Sequence, residues 1–510
     1  MSKTPRLDRR AFLKATGATV IAAAGAEVVA GCSSDNAPAA PKAAERLRIA
    51  STDPTKGIGV DPRSVGQGTS SMVAYHLYEG LMSLDNDKYL FVLAESAQPN
   101  ADATKWTVRL RDGVKFHNGQ PVKAADVVYS IRSLATPPGN RASVYADVDL
   151  AGMKALDART VEIPLKRPRG DFKEGVLSTF SLVFPDGTTD FSAGIGTGPY
   201  KLQSVDGQNV RLTANEAYWG AQPSVRDLEF IRIADPAARL NALKSGEADY
   251  VVGISAVGAA AEKGNHAVLL QRGGTVTANA LSFAMNQNLA PFNDPRVRRA
   301  LRLAVDRPQL TKNALLGMAS EAQDLVGKGL PGYPTDLGDR SRNIAEAREL
   351  LKAAGVTQLT IRAADIVPGM LDATRLFGQQ LAEAGVTLTI NPVPVDSFYA
   401  DLPGLAKNPF QTFYYANRPA ATHLANVTSQ HSVFNVTGTG PDYWARLQAA
   451  QVIVDDKARA TAFDALQHEL YDTGGDILWA YQDQLDASKP GISGVQRRGL
   501  LPTFGTAQLA

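Results

Sequence analysis

Stretches with the residue spacing of strands and of helices alternate along the second half of the chain. A capping box formed by Asn343 and Glu346 begins one helix, and a second helix spans 373–384. Short strands are predicted at 359–362 and 386–390, on either side of the second helix. Strands and helices that alternate in this way pack as layers, so we predict an α/β fold.

The first half carries one strongly patterned strand and a helix. Lys105–Arg111 alternates polar and apolar residues, with Trp106 on the apolar face, which predicts a half-buried strand. Apolar residues at helical spacing predict a helix over 124–134. A length of 510 residues leaves room for two or three domains with large cores.

The composition excludes several classes of protein. The 53 Lys and Arg residues nearly balance the 51 Asp and Glu residues, so we expect no nucleic-acid partner, which usually requires a basic surface. One cysteine permits no intrachain disulfide, and with only 6 histidines we expect no structural zinc site. No run of ~18 apolar residues is present, which excludes an integral membrane bundle.

The N-terminal residues resemble an export signal rather than part of a fold. Arg9 and Arg10, followed by Ala-Phe-Leu-Lys, resemble the twin-arginine motif. The apolar stretch behind them is short and weakly hydrophobic, as in a signal peptide. We therefore predict a twin-arginine-type signal peptide at 1–31.

A lipid anchor is predicted where this signal ends. Val29–Cys32 resembles the bacterial lipobox, in which the cysteine accepts a diacylglycerol and becomes the new N-terminus. The Ala-, Pro- and Ser-rich stretch behind it predicts a flexible tether at 32–45. Lipidation of Cys32 would place the protein outside the cytoplasm and anchor it to the cell membrane.

Four sequence blocks, in a fixed order, resemble those of a known family. They are Leu93–Ser130, Gly196–Leu202, Leu243–Asp249 and Phe283–Arg307. With them the chain is similar to the extracytoplasmic solute-binding proteins of ABC importers, in the cluster that binds peptides or nickel. The resemblance implies an α/β, two-lobed periplasmic-binding-protein-like fold, with hinge strands and an enclosed ligand cleft between the lobes.

The resemblance also implies a function and a division of the chain. We expect the protein to capture a peptide or peptide-like solute and to deliver it to the permease and ATPase subunits of an importer. We expect no cofactor, no bound metal, no catalytic residue and a monomeric state. By analogy the large lobe comprises 46–278 and 482–510, and the second lobe comprises 279–481.

Residues 413–418 are candidates for ligand contact. In the family's peptide binders, the aspartate of a Gly-Trp-x-Ala-Asp segment pairs with the amine of the peptide. Asn417 falls at that position, and an amide forms only a weaker neutral hydrogen bond. Arg418 either meets an anionic group or lies in solvent. Tyr414 and Tyr415 would face opposite sides of a strand, so we expect at least one to face the cleft.

Three residues near the predicted crossings between the lobes complete the candidates. Trp479 and Tyr481 share a strand face, where they either pack in the core or contact the ligand. Asn286 lies near the first crossing and is a weaker candidate. The predicted ligand-binding residues are thus Tyr414, Tyr415, Asn417, Arg418, Asn286, Trp479 and Tyr481.

Other function classes stay open on the sequence alone. His423 and His431 flank a polar stretch, which is a weak indication of a metal chelate as cargo. A lipoprotein that binds a signal or a partner protein without feeding an importer would have the same leader. The spacings of common hydrolase and dinucleotide-binding motifs are missing, so we do not expect an enzyme.

Overall fold

The computed structural model describes residues 46–53, 58–64, 68–85, 88–429 and 432–510. The predicted signal peptide at 1–31, the tether at 32–45 with Cys32, and His431 lie outside the described residues. Within the described ranges, no helix is both long and apolar enough to cross a membrane.

Strands and helices occur throughout these ranges. The strands are β1 Arg46–Ser51, β2 Met82–Asp85, β3 Lys88–Phe91, β4 Ala94–Pro99, β5 Lys105–Leu110, β6 Lys154–Ala155, β7 Thr160–Pro164, β8 Tyr200–Val205, β9 Asn209–Ala214, β10 Asp227–Arg232, β11 Tyr250–Val251, β12 Leu269–Arg272, β13 Asn279–Met285, β14 Ala319–Glu321, β15 Gln358–Ala363, β16 Thr387–Pro392, β17 Phe410–Ala416, β18 Asp476–Gln482, β19 Leu485–Ser488, β20 Ile492–Ser493, β21 Gln496–Arg498, β22 Leu501–Thr503 and β23 Gln508–Leu509. The α-helices are α1 Thr69–Leu77, α2 Ala124–Ala135, α3 Ser178–Phe180, α4 Pro236–Ser245, α5 Ala256–Ala261, α6 Pro295–Ala304, α7 Arg307–Asn313, α8 Ile344–Ala353, α9 Met370–Glu383, α10 Val395–Phe398, α11 Leu402–Leu405, α12 Ala420–Val427, α13 Pro441–Gln451 and α14 Asp456–Thr473. A π-helical turn spans Lys173–Leu177, and a 3₁₀ turn spans Thr275–Thr277.

The first large sheet has seven strands in the order β12-β19-β11-β1-β10-β9-β8. Its central strand, β1, runs parallel to both of its neighbours, β10 and β11. Leu47 and Ile49 of β1 are fully buried, as expected of a strand near the middle of a covered sheet.

A smaller sheet, in the order β4-β5-β7-β6, carries the patterned strand of the first half. Strand β5 and helix α2 confirm the strand and helix predicted there, and Trp106 is buried. The indole nitrogen of Trp106 donates a hydrogen bond of 2.9 Å to the carbonyl oxygen of Arg169. The apolar face predicted from the alternation is therefore the face that packs.

The second large sheet has six strands in the order β14-β18-β13-β17-β15-β16. Strand β13 lies between β17 and β18 and is antiparallel to both. Phe283 of β13 stacks on Phe377 of α9 and on Trp479 of β18, with ring centroids 4.6 and 5.7 Å apart. Helices and strands pack around this aromatic stack, so the hydrophobic core lies on the face of the sheet that carries Phe283 and Trp479.

The chain passes twice between the two large sheets. It leaves β12, makes the 3₁₀ turn and enters β13, and it later runs from β18 directly into β19. The two crossings are bonded to each other, because Gly273 N–H donates to the carbonyl oxygen of Gln484 at 2.9 Å and Arg272 pairs with Asp483. Two α/β sheets joined by a pair of adjacent crossings form the frame for the site.

Candidate ligand-binding site

The candidate residues lie along β17 and just beyond its end. Phe410, Thr412 and Tyr414 share one face of the strand, while Phe413 and Tyr415 share the other. Tyr414 packs half-buried against the core built on Phe283, and Tyr415 packs in the core of the opposite face. The predicted division of the two tyrosines between opposite faces is present, and it leaves Tyr414 as the more accessible side chain.

Tyr415 is buried in the interior. Its hydroxyl donates to the carboxylate of Asp476 at 3.1 Å, and its ring meets the edge of His423 at a centroid distance of 5.0 Å. Burial raises the pKa of Asp476 to about 6, although hydrogen bonds from Ser282 and Tyr415 act in the opposite direction. The side chain is 6% exposed and its hydroxyl is bonded, so Tyr415 supports the second sheet, and its predicted ligand contact stays a prediction.

Asn417 ties together two distant parts of the chain. Its Oδ1 accepts a hydrogen bond of 2.7 Å from Gly327 N–H, and its Nδ2 donates to the carbonyl oxygens of Thr275 at 2.8 Å and Lys328 at 3.0 Å. The side chain is 7% exposed, and both amide protons are used. The polar atoms of Asn417 are thus occupied by backbone groups, and the predicted ligand contact of Asn417 stays a prediction.

Arg418, the next residue, has the opposite surroundings. Its side chain is exposed, yet surrounding protein lowers the pKa of the guanidinium by desolvation, and the nearby Tyr414 opposes that shift. This combination is typical of a group that reaches solvent from within a recess. Among the residues that the structure describes, no carboxylate forms an ion pair with Arg418, so its charge is available.

Tyr399 is a neighbour that the sequence did not indicate. It follows α10 and lies beside Tyr414, and burial together with that neighbour raises the pKa of its hydroxyl. Tyr414 in turn lies near the Arg418 guanidinium, and we call these three side chains the Arg418 recess. No local motif marks Tyr399, because only the folding of the second sheet brings it to Tyr414.

Trp479 and Tyr481 take the core role of the two left open by the sequence. Both are fully buried, and Trp479 belongs to the aromatic stack on Phe283. The hydroxyl of Tyr481 donates to the carbonyl oxygen of Leu325 at 2.5 Å. Both side chains pack in the core, and the ligand contact predicted for them stays a prediction.

Asn286 is likewise occupied by the protein itself. Its Nδ2 donates to the carbonyl oxygen of Ala406 at 2.8 Å, and its Oδ1 accepts from Asn288 N–H at 3.0 Å. The side chain is only 4% exposed. Asn286 therefore holds loops at the end of β13, and its assignment to the cleft stays a prediction.

His423 lines a small polar cavity in the part of the protein that packs around the second large sheet. The cavity of about 20 Å³ is also bounded by Gln467 and Asp476, and it is large enough for one water molecule. Within the described residues, Gln467 Oε1 is buried without a hydrogen-bond partner. Burial and the nearby charge of Arg418 lower the pKa of His423 to about 3, so the ring is neutral.

A possible metal-binding group lies elsewhere. Asp336, Asp464 and His468 bring one ligand atom each to within 4.8 Å of one another. The contacts of His468 to the two carboxylates, at 3.1 and 3.4 Å, are those of ion pairs at the surface. The backbone carbonyl of Asp464 and these acids raise the pKa of His468, which accounts for the group without a metal.

Comparison with known proteins identifies the family. A sequence profile of the bacterial extracellular solute-binding proteins, family 5 Middle, matches residues 89–456. The chain belongs to family 5 of the bacterial extracellular solute-binding proteins. Family 5 membership confirms the predicted function as the solute-binding component of an ABC importer that acts outside the cytoplasm.

Individual relatives agree with this assignment. The glutathione-binding protein GsiB of Shigella boydii serotype 4 is 28% identical over 438 residues, covering 82% of this chain and 84% of GsiB. HbpA2 from Haemophilus parasuis superposes with a TM-score of 0.79 at 20% identity, covering 91% of this chain and 100% of HbpA2. NikA from Brucella suis, in complex with Fe(III)-EDTA, gives a TM-score of 0.77 at 21% identity, covering 91% and 100% of the two chains. The two-lobed α/β fold predicted for a family 5 protein is thus confirmed.

The second family block contacts one buried carboxylate. Glu79 accepts hydrogen bonds from Thr197 of the second block at 2.9 Å, from Tyr218 at 2.7 Å and from the indole of Trp219 at 2.7 Å. Burial raises the pKa of Glu79, and these donors act in the opposite direction. Thr197, and with it the second family block, is therefore bonded to a buried carboxylate that also holds Tyr218 and Trp219.

Proposed function

We propose that the cargo is a peptide or peptide-like solute with an anionic group, which is bound between the lobes and passed to an ABC permease and its ATPase. The supporting observation is the guanidinium of Arg418, which forms no ion pair with any carboxylate of the described residues. An arginine binds a carboxylate through two parallel hydrogen bonds, and such charge-assisted bonds are about twice as strong as neutral ones. A carboxylate of the solute would meet Arg418 in this way.

The neighbours of Arg418 suit the same ligand. Tyr414 lies near the Arg418 guanidinium, and its hydroxyl is hydrogen-bonded to that of Tyr399, so one hydroxyl proton of the pair is left to donate to a carboxylate oxygen. A peptide's terminal carboxylate has more lone pairs than one guanidinium satisfies. A hydroxyl donor near the charge of Arg418 therefore favours an anionic end of a solute over a neutral one.

Recognition of a free amine has less support. Asn417, at the position of the family's acid, uses its polar atoms on the backbone. The sequence has no Asp or Glu between Asp401 and Asp442 that could replace it. We infer that the second lobe contacts the acidic end of the cargo and not its amine.

The relatives suggest two chemical forms for such a cargo. GsiB is named for glutathione, a small peptide, and the NikA structure holds Fe(III)-EDTA. Both compounds carry carboxylates. A peptide is our first candidate, and a carboxylate-bearing metal chelate is the second, because the unpaired Arg418 suits either.

Division of the chain into lobes belongs to the same proposal. We infer a large lobe of 46–278 and 482–510 and a second lobe of 279–481. The two crossings between the large sheets, at 273–278 and 483–484, support these boundaries. Solute that touches both lobes stabilises the closed arrangement by its difference in affinity for closed and open forms.

Membrane attachment completes the proposed function. Arg9-Arg10 and Val29–Cys32 support export by the twin-arginine route and a diacylglycerol on Cys32. We infer a monomer that is held at the membrane near its permease and has no catalytic role.

The anionic-cargo proposal can be tested by calorimetry on the purified mature protein. Native mass spectrometry first identifies the co-purified solute, and its carboxyl-amidated form is then compared with the parent compound; glutathione and Fe(III)-EDTA are measured alongside. We expect amidation to weaken binding about ten- to a hundredfold, as hydrogen bonds to charged groups are worth about 1.5–3 kcal/mol. Arg418→Gln should abolish that preference.

Arg446→Gln is the matched control for Arg418→Gln. Arg446 pairs with Glu469 on the surface of the same lobe and is outside the Arg418 recess. Its substitution should leave the affinity unchanged. Equal affinity for the parent and amidated compounds would contradict the proposal.

A further inference from the structure

Two segments far apart in sequence meet in a dense set of polar contacts. One is 167–174, which follows β7, and the other is 451–459, which joins α13 to α14; together we call them the clasp. With the lobe boundaries proposed above, the first segment belongs to the large lobe and the second to the second lobe. The clasp is thus a contact between lobes that is separate from the two crossings.

The centre of the clasp is a backbone contact at Gly170. Its N–H donates to the carbonyl oxygen of Gln451 at 2.7 Å, and Asp171 N–H donates to the same oxygen at 3.3 Å. A Cβ at Gly170 would lie 2.0 Å from the carbonyl oxygen of Ile453. The approach is so close that only glycine fits at position 170.

Side chains extend the contact on both sides of Gly170. Arg459 pairs with Glu174 at 2.9 Å, with the two side chains 6% and 15% exposed, and Lys173 pairs with Asp456 at 2.9 Å. Arg167 donates to Oε1 of the fully buried Gln451 at 3.1 Å. Complementary charges therefore face each other across the junction, with positive and negative groups on each side.

The arginine of the second lobe is held in position before it meets its partner. Arg459 Nη1 donates to the carbonyl oxygens of Ile453 and Val454, at 2.8 and 3.1 Å, within its own segment. A guanidinium fixed in this way loses little side-chain freedom when Glu174 approaches. Pre-organisation makes the pair more favourable than one between two free side chains.

We propose that the clasp sets the balance between the closed and open forms of the protein and so tunes its affinity for solute without touching the solute. Contacts that exist only in the closed arrangement raise the fraction of molecules that are competent to retain solute. The apparent dissociation constant is the intrinsic one divided by that fraction. Weakening the clasp should therefore lower the affinity for every solute by the same factor.

The test is residue-resolved hydrogen exchange on the mature protein with no solute added, at the amides of Gly170 and Asp171. The Glu174→Gln/Asp456→Asn variant removes the acidic partners of Arg459 and Lys173 and keeps the side-chain shapes. The Lys173–Asp456 pair is partly exposed and contributes little, whereas the Arg459–Glu174 pair is largely buried and contributes more, so we expect exchange at both amides to rise at least about threefold. The radius of gyration from X-ray scattering should rise as well.

Glu469→Gln is the control, because the Arg446–Glu469 pair joins α13 to α14 within one lobe. It should leave the exchange of Gly170 and Asp171 unchanged. Unprotected amides in the unmodified protein, or equal protection in the double variant, would overturn the proposal. These readouts need no solute, so they stand or fall independently of the anionic-cargo proposal.

Discussion

The side-chain amide of Asn417 donates a hydrogen bond of 2.8 Å to the carbonyl oxygen of Thr275, in the first crossing between the two large sheets. The backbone N–H of Asn417 donates to Ala278 in the same crossing at 3.0 Å. Arg418, which carries the available charge, is the next residue. A solute that engages Arg418 is therefore one residue away from the segment about which the lobes would move.

Asn417→Asp should destabilise the fold. An aspartate cannot donate, so the buried carbonyl oxygens of Thr275 and Lys328 would lose their partners and face a negative charge. Each unsatisfied buried group costs about 1–3 kcal/mol, and we expect a loss of about 2–4 kcal/mol in the free energy of unfolding. Urea denaturation followed by circular dichroism measures it.

Asn118→Asp provides the comparison for Asn417→Asp. The Asn118 side chain only accepts a hydrogen bond, from Gln120 N–H at 3.1 Å, and an aspartate oxygen can do the same. We expect a change within about 0.5 kcal/mol. Equal stability of the two variants would mean that the amide protons of Asn417 are not needed.

Trp479→Ala should act on stability and not on affinity. The ring is fully buried against Phe283, and removal of a buried aromatic ring typically costs about 3–5 kcal/mol. Trp479→Phe keeps most of the stack and should cost less. Thermal unfolding measures the stability of the variants, and calorimetry of the folded fraction measures their affinity for solute. Loss of affinity with unchanged stability would indicate a ligand role for this residue.

His76 should make the protein less stable in acid. Its Nε2 accepts from Phe504 N–H at 2.8 Å, its Nδ1 lies 2.7 Å from the carbonyl oxygen of Met72, and burial lowers the ring's pKa from 6.5 to about 4. A lowered pKa contributes stability that is present above pH 6.5 and is lost as the pH falls towards 4. We expect this residue to account for about 2 kcal/mol of the loss between pH 7 and pH 4.5.

The measurement for His76 is the free energy of unfolding at several pH values, in the unmodified protein and in His76→Gln. The pH-dependent loss should be smaller in the variant. The exposed His266 is the control, and His266→Gln should leave the pH profile unchanged. Parallel profiles for all three proteins would show that His76 does not titrate with folding.

Cys32→Ser should release the protein from membranes. Without the thiol no diacylglycerol can be attached, and acyl chains supply the membrane affinity at about 0.8 kcal/mol for each buried methylene. Labelling with radioactive palmitate and membrane fractionation measure the effect. Replacement of Arg9 and Arg10 by lysine should separately block export, and normal export of that variant would indicate the general secretory route.

Local patterns were sufficient to predict much of the fold. The alternation of polar and apolar residues in Lys105–Arg111 predicted β5, and the capping box of Asn343 predicted α8. Asn343 caps the N-terminus of α8 by accepting a hydrogen bond of 3.1 Å from Glu346 N–H. Such signals depend on residues a few positions apart. They can therefore be recognised without knowledge of the tertiary structure.

The roles of polar side chains could not be read in the same way. Asn417 bonds to residues 142 and 90 positions away, and nothing in its own neighbourhood indicates those partners. Arg418 is exposed and Asn417 is buried with its polar atoms bonded, although the two residues are adjacent. The difference lies in which distant backbone groups each side chain reaches after folding.

The bonds between the two crossings limit how the lobes can move. Gly273 with Gln484, and Arg272 with Asp483, fasten the two connecting strands side by side. Because the two segments are bonded side by side, they can bend together, but they resist twisting and sliding past one another. Opening and closing should then follow a single angle, and one pair of spectroscopic labels, one on each lobe, would report the whole motion.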